Sequence, residues 1–203
     1  MSENALKTDP RKVRTQALLR QALIALMQEK PVEKISVKDL IERAQITRST
    51  FYLHYLDKDD FIDKTITQVL AEYEQRVQSF DELPYSEAIL RHGKVFFEYM
   101  AENADFYRVM LGPNGVPAFR IRLQQIGLNY FYKRYLPPMQ SSESFEYNHH
   151  LDFAVLANYI VSAKIGCVDY WLNSGMKLSP DFLAQRTSDF VYTLLKRYNI
   201  IKA

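Results

Sequence analysis

Between Ser36 and Phe61 the chain reads SVKDLIERAQITRSTFYLHYLDKDDF, its densest set of side chains able to meet a polyanion. Thr47, Arg48, Ser49, Thr50 and Tyr52 supply hydroxyls and a guanidinium, His54 and Lys58 follow, and no acid occurs from Arg43 to Leu56. The chemistry on offer is non-covalent. Short polar groups and an arginine on the first turn of a helix reach base edges in a DNA major groove, while cations and hydroxyls hold phosphate oxygens. Nothing in the sequence supports a nucleophile–base pair, and no phosphate-binding glycine loop, dinucleotide fingerprint or zinc-finger spacing occurs. The chain is therefore expected to have no catalytic residue and no cofactor.

These side chains need helices to position them. Ser36 with Asp39 three residues on forms a capping box that opens a short helix through Ala44, and Thr47 caps another ending near Leu53 or His54. Only Gln45-Ile46 separates the two, the spacing of a helix-turn-helix. Phe51 and Tyr55, four apart and preceded by Ile46, are expected to face a first helix over residues 10–28. Thr47, Arg48, Ser49 and Tyr52 then point outward. In that first helix Leu19, Leu23, Leu26 and Lys30 recur at helical spacing, and Pro31 stops it. Asp57 caps a long helix to about residue 79, with Asp59 and Asp60 complementing its dipole. Lys58 opposes that dipole, which stability alone does not ask for and a phosphate does.

Charge follows the same division. The chain has 203 residues and a formal charge of +2. Residues 7–55 carry ten basic and five acidic side chains, whereas residues 56–203 carry 16 basic and 18 acidic ones. A basic N-terminal block on a neutral-to-acidic body suits a nucleic-acid surface, with a solvated basic face as the competing explanation. The 47% hydrophobic and 25% charged composition belongs to a globular protein and excludes a disordered or collagen-like chain. The lone Cys167 excludes an intramolecular disulfide framework and suits a reducing, cytoplasmic setting. No signal peptide and no membrane-spanning apolar run is expected.

The stretch from residue 10 to 62 resembles the TetR family of bacterial transcriptional regulators. Their pattern is a hydroxyl-rich recognition helix, then Tyr-x-His-aromatic-x-x-Lys, an acidic pair and an apolar residue. Here Thr50-Phe51-Tyr52-Leu53-His54-Tyr55-Leu56-Asp57-Lys58-Asp59-Asp60-Phe61 runs in that order. The resemblance implies that Tyr52, His54 and Lys58 hold DNA phosphates and that Arg48, Ser49 and Thr50 read or approach bases. It also implies that Arg11, Lys12 and Arg14 reach adjacent phosphates or the minor groove; Ser36 and Thr47 complete the candidate DNA-binding set. The chain departs from the pattern where Pro31, Gln45 and Ser49 replace common glycines and Ile41 replaces a small residue. Gln45 stands in a turn that can require positive φ, at a cost of order 1 kcal/mol.

Helices are expected beyond this stretch at about residues 86–102, 103–111 and 118–135. Pro137-Pro138 and residues 141–144 read as a loop, followed by a helix of nearly thirty residues ending near Asn173 and a last one from Ser179-Pro180 to Tyr198. The fold class is all-α, about nine helices. A three-helix DNA-binding domain (8–56) leads through a linking helix (57–79) to a larger ligand-binding and dimerisation domain (80–203). Residues 81–203 hold 11 Tyr, 9 Phe and Trp171, enough for an apolar small-molecule pocket or an ordinary aromatic core. Phe96, Phe97, Met100, Tyr107, Met110, Phe119, Tyr130 and Trp171 are the candidate effector-pocket residues, and the family resemblance places a ligand cavity in this region. The C-terminal part also resembles TetR-like regulators related to an activator of dihydroxyacetone kinase operons. That likeness rests on Glu102-Asn103-x-Asp105-Phe106-Tyr107 and Tyr170-Trp171-Leu172-x-x-Gly175-Met176.

The penultimate helix carries Phe153, Leu156, Ala157, Ile160, Val161, Lys164, Cys167, Val168 and Trp171 at spacings of three and four, and the last carries Leu183, Thr187, Phe190, Leu194 and Tyr198. Leu156, Ile160, Cys167, Leu183, Phe190 and Leu194 are the candidate dimer interface, with intrachain packing as the competing explanation. In the family such helices pair into a four-helix interface, and two-fold pairing suits a palindromic operator. The 146–152 segment (Glu146, His149, His150, Asp152) is expected to be a solvated helix start and to bind no metal. The partners expected are double-stranded DNA, a small-molecule effector and a second copy of the chain; no membrane is expected. The leading functional expectation is a ligand-responsive repressor. The alternative is a non-DNA-binding interaction protein or co-regulator on the same fold.

Overall fold

Helix starts and stops in the N-terminal part are set by local chemistry. Asp9 accepts the Arg11 N–H and Pro10 occupies the first turn of α1 (Pro10–Glu29), whose fixed φ suits that position. Lys30, before Pro31, is extended, which ends the helix. A 3₁₀ turn (Val32–Lys34) follows and leads to α2 (Val37–Ala44), α3 (Arg48–Tyr52) and α4 (Lys58–Val77). The computed structural model describes residues 9–77, 80, 82–140 and 147–201, with only the backbone for residues 137–140 and 147–151. The end of α4 expected at residue 79 and the loop expected at 141–144 lie outside the described residues.

The remaining helices are α5 (Tyr85–Glu102), α6 (Ala104–Leu111), α7 (Pro117–Gln140), α8 (Tyr147–Asn173) and α9 (Pro180–Arg197). The described residues form nine α-helices and no strand, an all-α fold. Helix α7 runs through Pro137-Pro138, where a loop was expected. A proline's fixed φ is compatible with a helix, although each ring removes an N–H donor and crowds the carbonyl four residues before it.

Burial ties the two parts together. Leu19, Leu23 and Leu26 of α1 are buried with Leu40, Ala44, Phe51 and Tyr55, as their spacing predicts. Phe61 of α4 completes this aromatic cluster, its ring centroid 4.9 Å from Tyr55 and 6.0 Å from Phe51. The same apolar core continues through Val69 and Tyr73 of α4 into Phe96, Phe106, Phe119 and Trp171. A second cluster lies at the far end, where Phe131, Tyr135, Phe153, Leu156 and Leu195 meet. Helix α9 lies closely along α5 because residue 93 is glycine. A Cβ there would stand 2.6 Å from Ser188 Oγ and 3.3 Å from the Ala184 carbonyl oxygen.

Candidate nucleic-acid interface and interior cavity

The turn before α3 sets the direction in which that helix starts. Gln45 adopts the left-handed conformation (φ 52°, ψ 44°), its N–H bonds to the Glu42 carbonyl and the Ile46 N–H to that of Ile41. This is a Schellman closure, and Ile46 and Ile41 both pack against the core beside it. A turn that glycine makes most easily is therefore made here with glutamine. Upstream, the Ser36 hydroxyl accepts the Asp39 N–H, while Asp39 accepts from the Ser36 N–H at 2.8 Å and from Lys30 at 2.9 Å. The Ser36 N–H foremost, then Lys30, hold the Asp39 carboxyl well below the usual carboxylate range.

Thr47 caps α3: its Oγ1 accepts the Thr50 N–H at 3.1 Å and lies 2.8 Å from the hydroxyls of both Ser49 and Thr50. Phe51 is fully buried and anchors the five-residue helix, which turns Arg48, Ser49 and Tyr52 to solvent. Tyr52 is 45% exposed. The Arg48 guanidinium lies 5.5 Å from the Tyr52 ring centroid, with 3.5 Å between its nitrogen and Tyr52 Oη. Arg11, Arg14, Ser36 and Thr47 are exposed; Thr50, His54 and Lys58 are half-buried.

The basic excess read from the sequence divides in two. Lys30, Lys38 and Arg43 form ion pairs with Asp39, Glu42 and Glu29. Arg11, Arg14 and Arg48 form none among the described residues, so their charge faces outward uncompensated. Lys58, expected to hold a DNA phosphate, also has partners within the fold. Its ammonium donates to the Val32 carbonyl at 3.1 Å and approaches that of Glu33 at 3.5 Å. It thereby ties the start of α4 to the 3₁₀ turn, which explains a lysine at a helix N-terminus without any ligand.

In the larger part, α4, α5, α7, α8 and α9 line a partly open cavity of about 60 Å³. Of the eight candidate pocket residues, Phe96 and Tyr130 line it. Phe97, Met100, Tyr107, Met110, Phe119 and Trp171 are packed into the core instead, each exposed by 2% or less. Aromatics at helical spacing serve a pocket wall and a core equally, so spacing alone does not separate them. The cavity's polar groups are ones that the aromatic count passed over. His92 Nδ1 lies 3.1 Å from Lys164 Nζ, and His92 Nε2 lies 3.1 Å from Tyr73 Oη. The His92 ring stacks on Tyr130 at 4.3 Å, and Lys164 Nζ lies 4.4 Å from the Phe96 centroid. Burial lowers the Lys164 ammonium to about 7; burial and the neighbouring lysine push His92 well below its ordinary value, keeping it neutral. The legible signal was Lys164 itself, a lysine inside an apolar stripe.

The candidate dimer residues divide between inside and outside. Leu156 and Ile160 are buried within the protomer, against Phe131 and Phe153. Cys167 and Phe190 are exposed, Phe190 by 65%, and Leu183 and Leu194 are half-buried. A surface groove between α8 and α9 is lined by Tyr159, Ala163, Cys167, Phe190 and Leu194. Val155, Tyr159 and Tyr170 extend an outward apolar strip along α8. The stripe read from the sequence is thus largely the inward face. The side chains of Glu146, His149 and His150 lie outside the described residues; Asp152 is exposed.

Comparison with known proteins gives this geometry its context. Residues 19–65 match the family model of the bacterial regulatory proteins of the tetR family, and residues 94–193 match that of a transcriptional regulator C-terminal region. A Bacillus subtilis (strain 168) protein named as an uncharacterized HTH-type transcriptional regulator, YxbF, is 22% identical over 188 residues. That match covers 87% of this chain and 44% of the relative, so the chain spans less than half the relative's length. Among solved structures, the dihydroxyacetone kinase operon activator DhaS superposes with a TM-score of 0.60 at 17% identity, covering 93% of this chain and 98% of that one. The fatty acid degradation regulator FadR from Bacillus halodurans gives 0.70 at 13%, covering 91% and 96%. At such identities the structural likeness establishes a shared fold.

Proposed function

The chain belongs to the tetR family of bacterial transcriptional regulators, and from that premise we propose that it is a cytoplasmic repressor. In this reading two copies bind a palindromic operator, and a small-molecule effector in the interior cavity releases them. The observation that carries the reading is the exposed, acid-free face of α3, where Thr47, Arg48, Ser49 and Tyr52 all face solvent. A capped first turn bearing an arginine and hydroxyls is the form in which a recognition helix enters the major groove. The exposed Phe190 and Tyr159 beside the α8–α9 groove support pairing through these helices. No helix of the described residues is long and apolar enough to cross a membrane.

The rival reading, an interaction protein that has lost DNA binding, drew on the replaced turn glycines. Gln45 adopts the left-handed conformation that glycine would supply, which favours the DNA-binding reading at that position. The test is fluorescence anisotropy with a duplex from the chain's own upstream region against a random-sequence duplex. Preference for the upstream duplex, lost on adding an effector, supports a ligand-released repressor; equal affinity for both duplexes contradicts it.

A further inference from the structure

We infer that the interior cavity takes a small organic anion, a carboxylate on a short apolar body, held by the Lys164 ammonium beside His92. The inference rests on the reading of the cavity as an effector site and adds the effector's chemical class. Helix α4 faces the cavity with Tyr73, α5 with His92, α7 with Tyr130 and Tyr135, and α8 with Lys164; α9 adds only the hydroxyls of Thr187 and Ser188. The rest of the wall is aliphatic or aromatic apart from Gly127, and no Asp or Glu lines it. Lys164 forms no ion pair among the described residues.

A part-buried lysine held this way lacks a counter-charge. Its contacts, the His92 ring nitrogen at 3.1 Å and the Phe96 face at 4.4 Å, are neutral. With Lys164 donating to Nδ1, the His92 ring proton sits on Nε2 and points to Tyr73 Oη. Buried charges are ordinarily paired, and burial accordingly draws the Lys164 ammonium down to about 7. A carboxylate reaching Nζ supplies the missing counter-charge in a medium where such a pair interacts strongly. A cationic ligand would be repelled, and a neutral one would leave the charge as it stands. Phosphate lacks the apolar body that this wall would cover. The volume of about 60 Å³ is under half that of the roughly 150 Å³ apolar cavity known to hold benzene, which limits the body to a few carbons.

The test is isothermal titration of the full chain, without DNA, with butyrate, its neutral amide butyramide, and butylamine at pH 7. Butyrate is expected to bind at least tenfold more tightly than butyramide, and butylamine not at all. At pH 8, butyrate binding is expected to take up protons, read from the dependence of the heat on buffer ionisation enthalpy. Lys164→Met, an unbranched apolar replacement, is expected to erase the tenfold preference while retaining helical circular dichroism and a cooperative melt. Equal binding of butyrate and butyramide, absence of butyrate binding, or a preference that survives Lys164→Met would each overturn the inference. If Lys164→Met does not fold, the wild-type comparison decides by itself. Because no DNA is present, failure here is distinguishable from failure of the repressor reading, which the upstream duplex tests separately.

Discussion

Arg48 and Tyr52 sit one helical turn apart on the exposed face of α3, the guanidinium over the phenol ring, while Phe51 between them carries the packing. That division makes their replacement a clean experiment. Arg48→Ala should weaken binding to the upstream duplex by about 1–3 kcal/mol, the range of a good arginine–base contact. Tyr52→Phe should weaken it less, and both variants should melt like the parent in circular dichroism. Gln45→Gly is expected to leave DNA binding intact and to stabilise the fold by less than about 1 kcal/mol in urea unfolding. Glycine relieves the left-handed strain but adds entropy to the unfolded chain. At this scale the caps and the turn were legible because they depend on neighbours within four residues. The role of Lys58 was not, since its carbonyl partners lie 26 and 25 positions upstream and only the folded backbone brings them near.

Helices α1 to α4 follow their sequence signals closely, because each is bounded by a cap, a proline or both. Helix α8 does not disclose its faces so readily. It carries apolar residues nearly all round, with Leu156 and Ile160 inside and Val155, Tyr159 and Tyr170 outside, so periodicity alone cannot say which side meets the protomer. Packing partners decide it: α7 takes one side, and the outward strip and groove remain. Two variants separate these surfaces. Phe190→Glu, in the groove, should shift the chain to a monomer in sedimentation equilibrium at micromolar concentration with little change in the protomer's helicity. Leu156→Ala should instead destabilise the protomer by roughly 2–5 kcal/mol, the usual result of emptying a buried leucine site.

Across the whole molecule, the N-terminal helices and the cavity are joined by packing rather than by a flexible linker. Asn114, between α6 and α7, donates to the Met27 carbonyl at 3.2 Å, Arg122 of α7 pairs with Asp63 of α4, and one apolar core runs from Leu19 to Ala184. Four residues, Ile160, Lys164, Thr187 and Val191, line both the cavity and the α8–α9 groove. A ligand that moves Lys164 therefore acts on the proposed pairing surface, and its leverage equals its differential affinity for the two states. The part-buried His92–Lys164 pair also sets the pH response. The folded Lys164 titrates near 7 and the unfolded one near 10.5, so between these values the unfolded chain binds more protons and stability rises with pH. Neutral His92 acts in the same direction below its ordinary value of 6.5, and above about pH 10 the buried phenols of Tyr73 and Tyr135 reverse the slope. Urea unfolding should thus give higher stability at pH 9 than at pH 7, with the increase largely absent in Lys164→Met. The central claim, a dimer that reads DNA through α3, is tested most directly by salt-dependent anisotropy on the upstream duplex. A specific complex whose logarithmic affinity falls steeply and linearly with logarithmic salt, and which Arg48→Ala weakens about fivefold or more, is the expected result. Affinity no greater than for random duplex, or unchanged by Arg48→Ala, would contradict it.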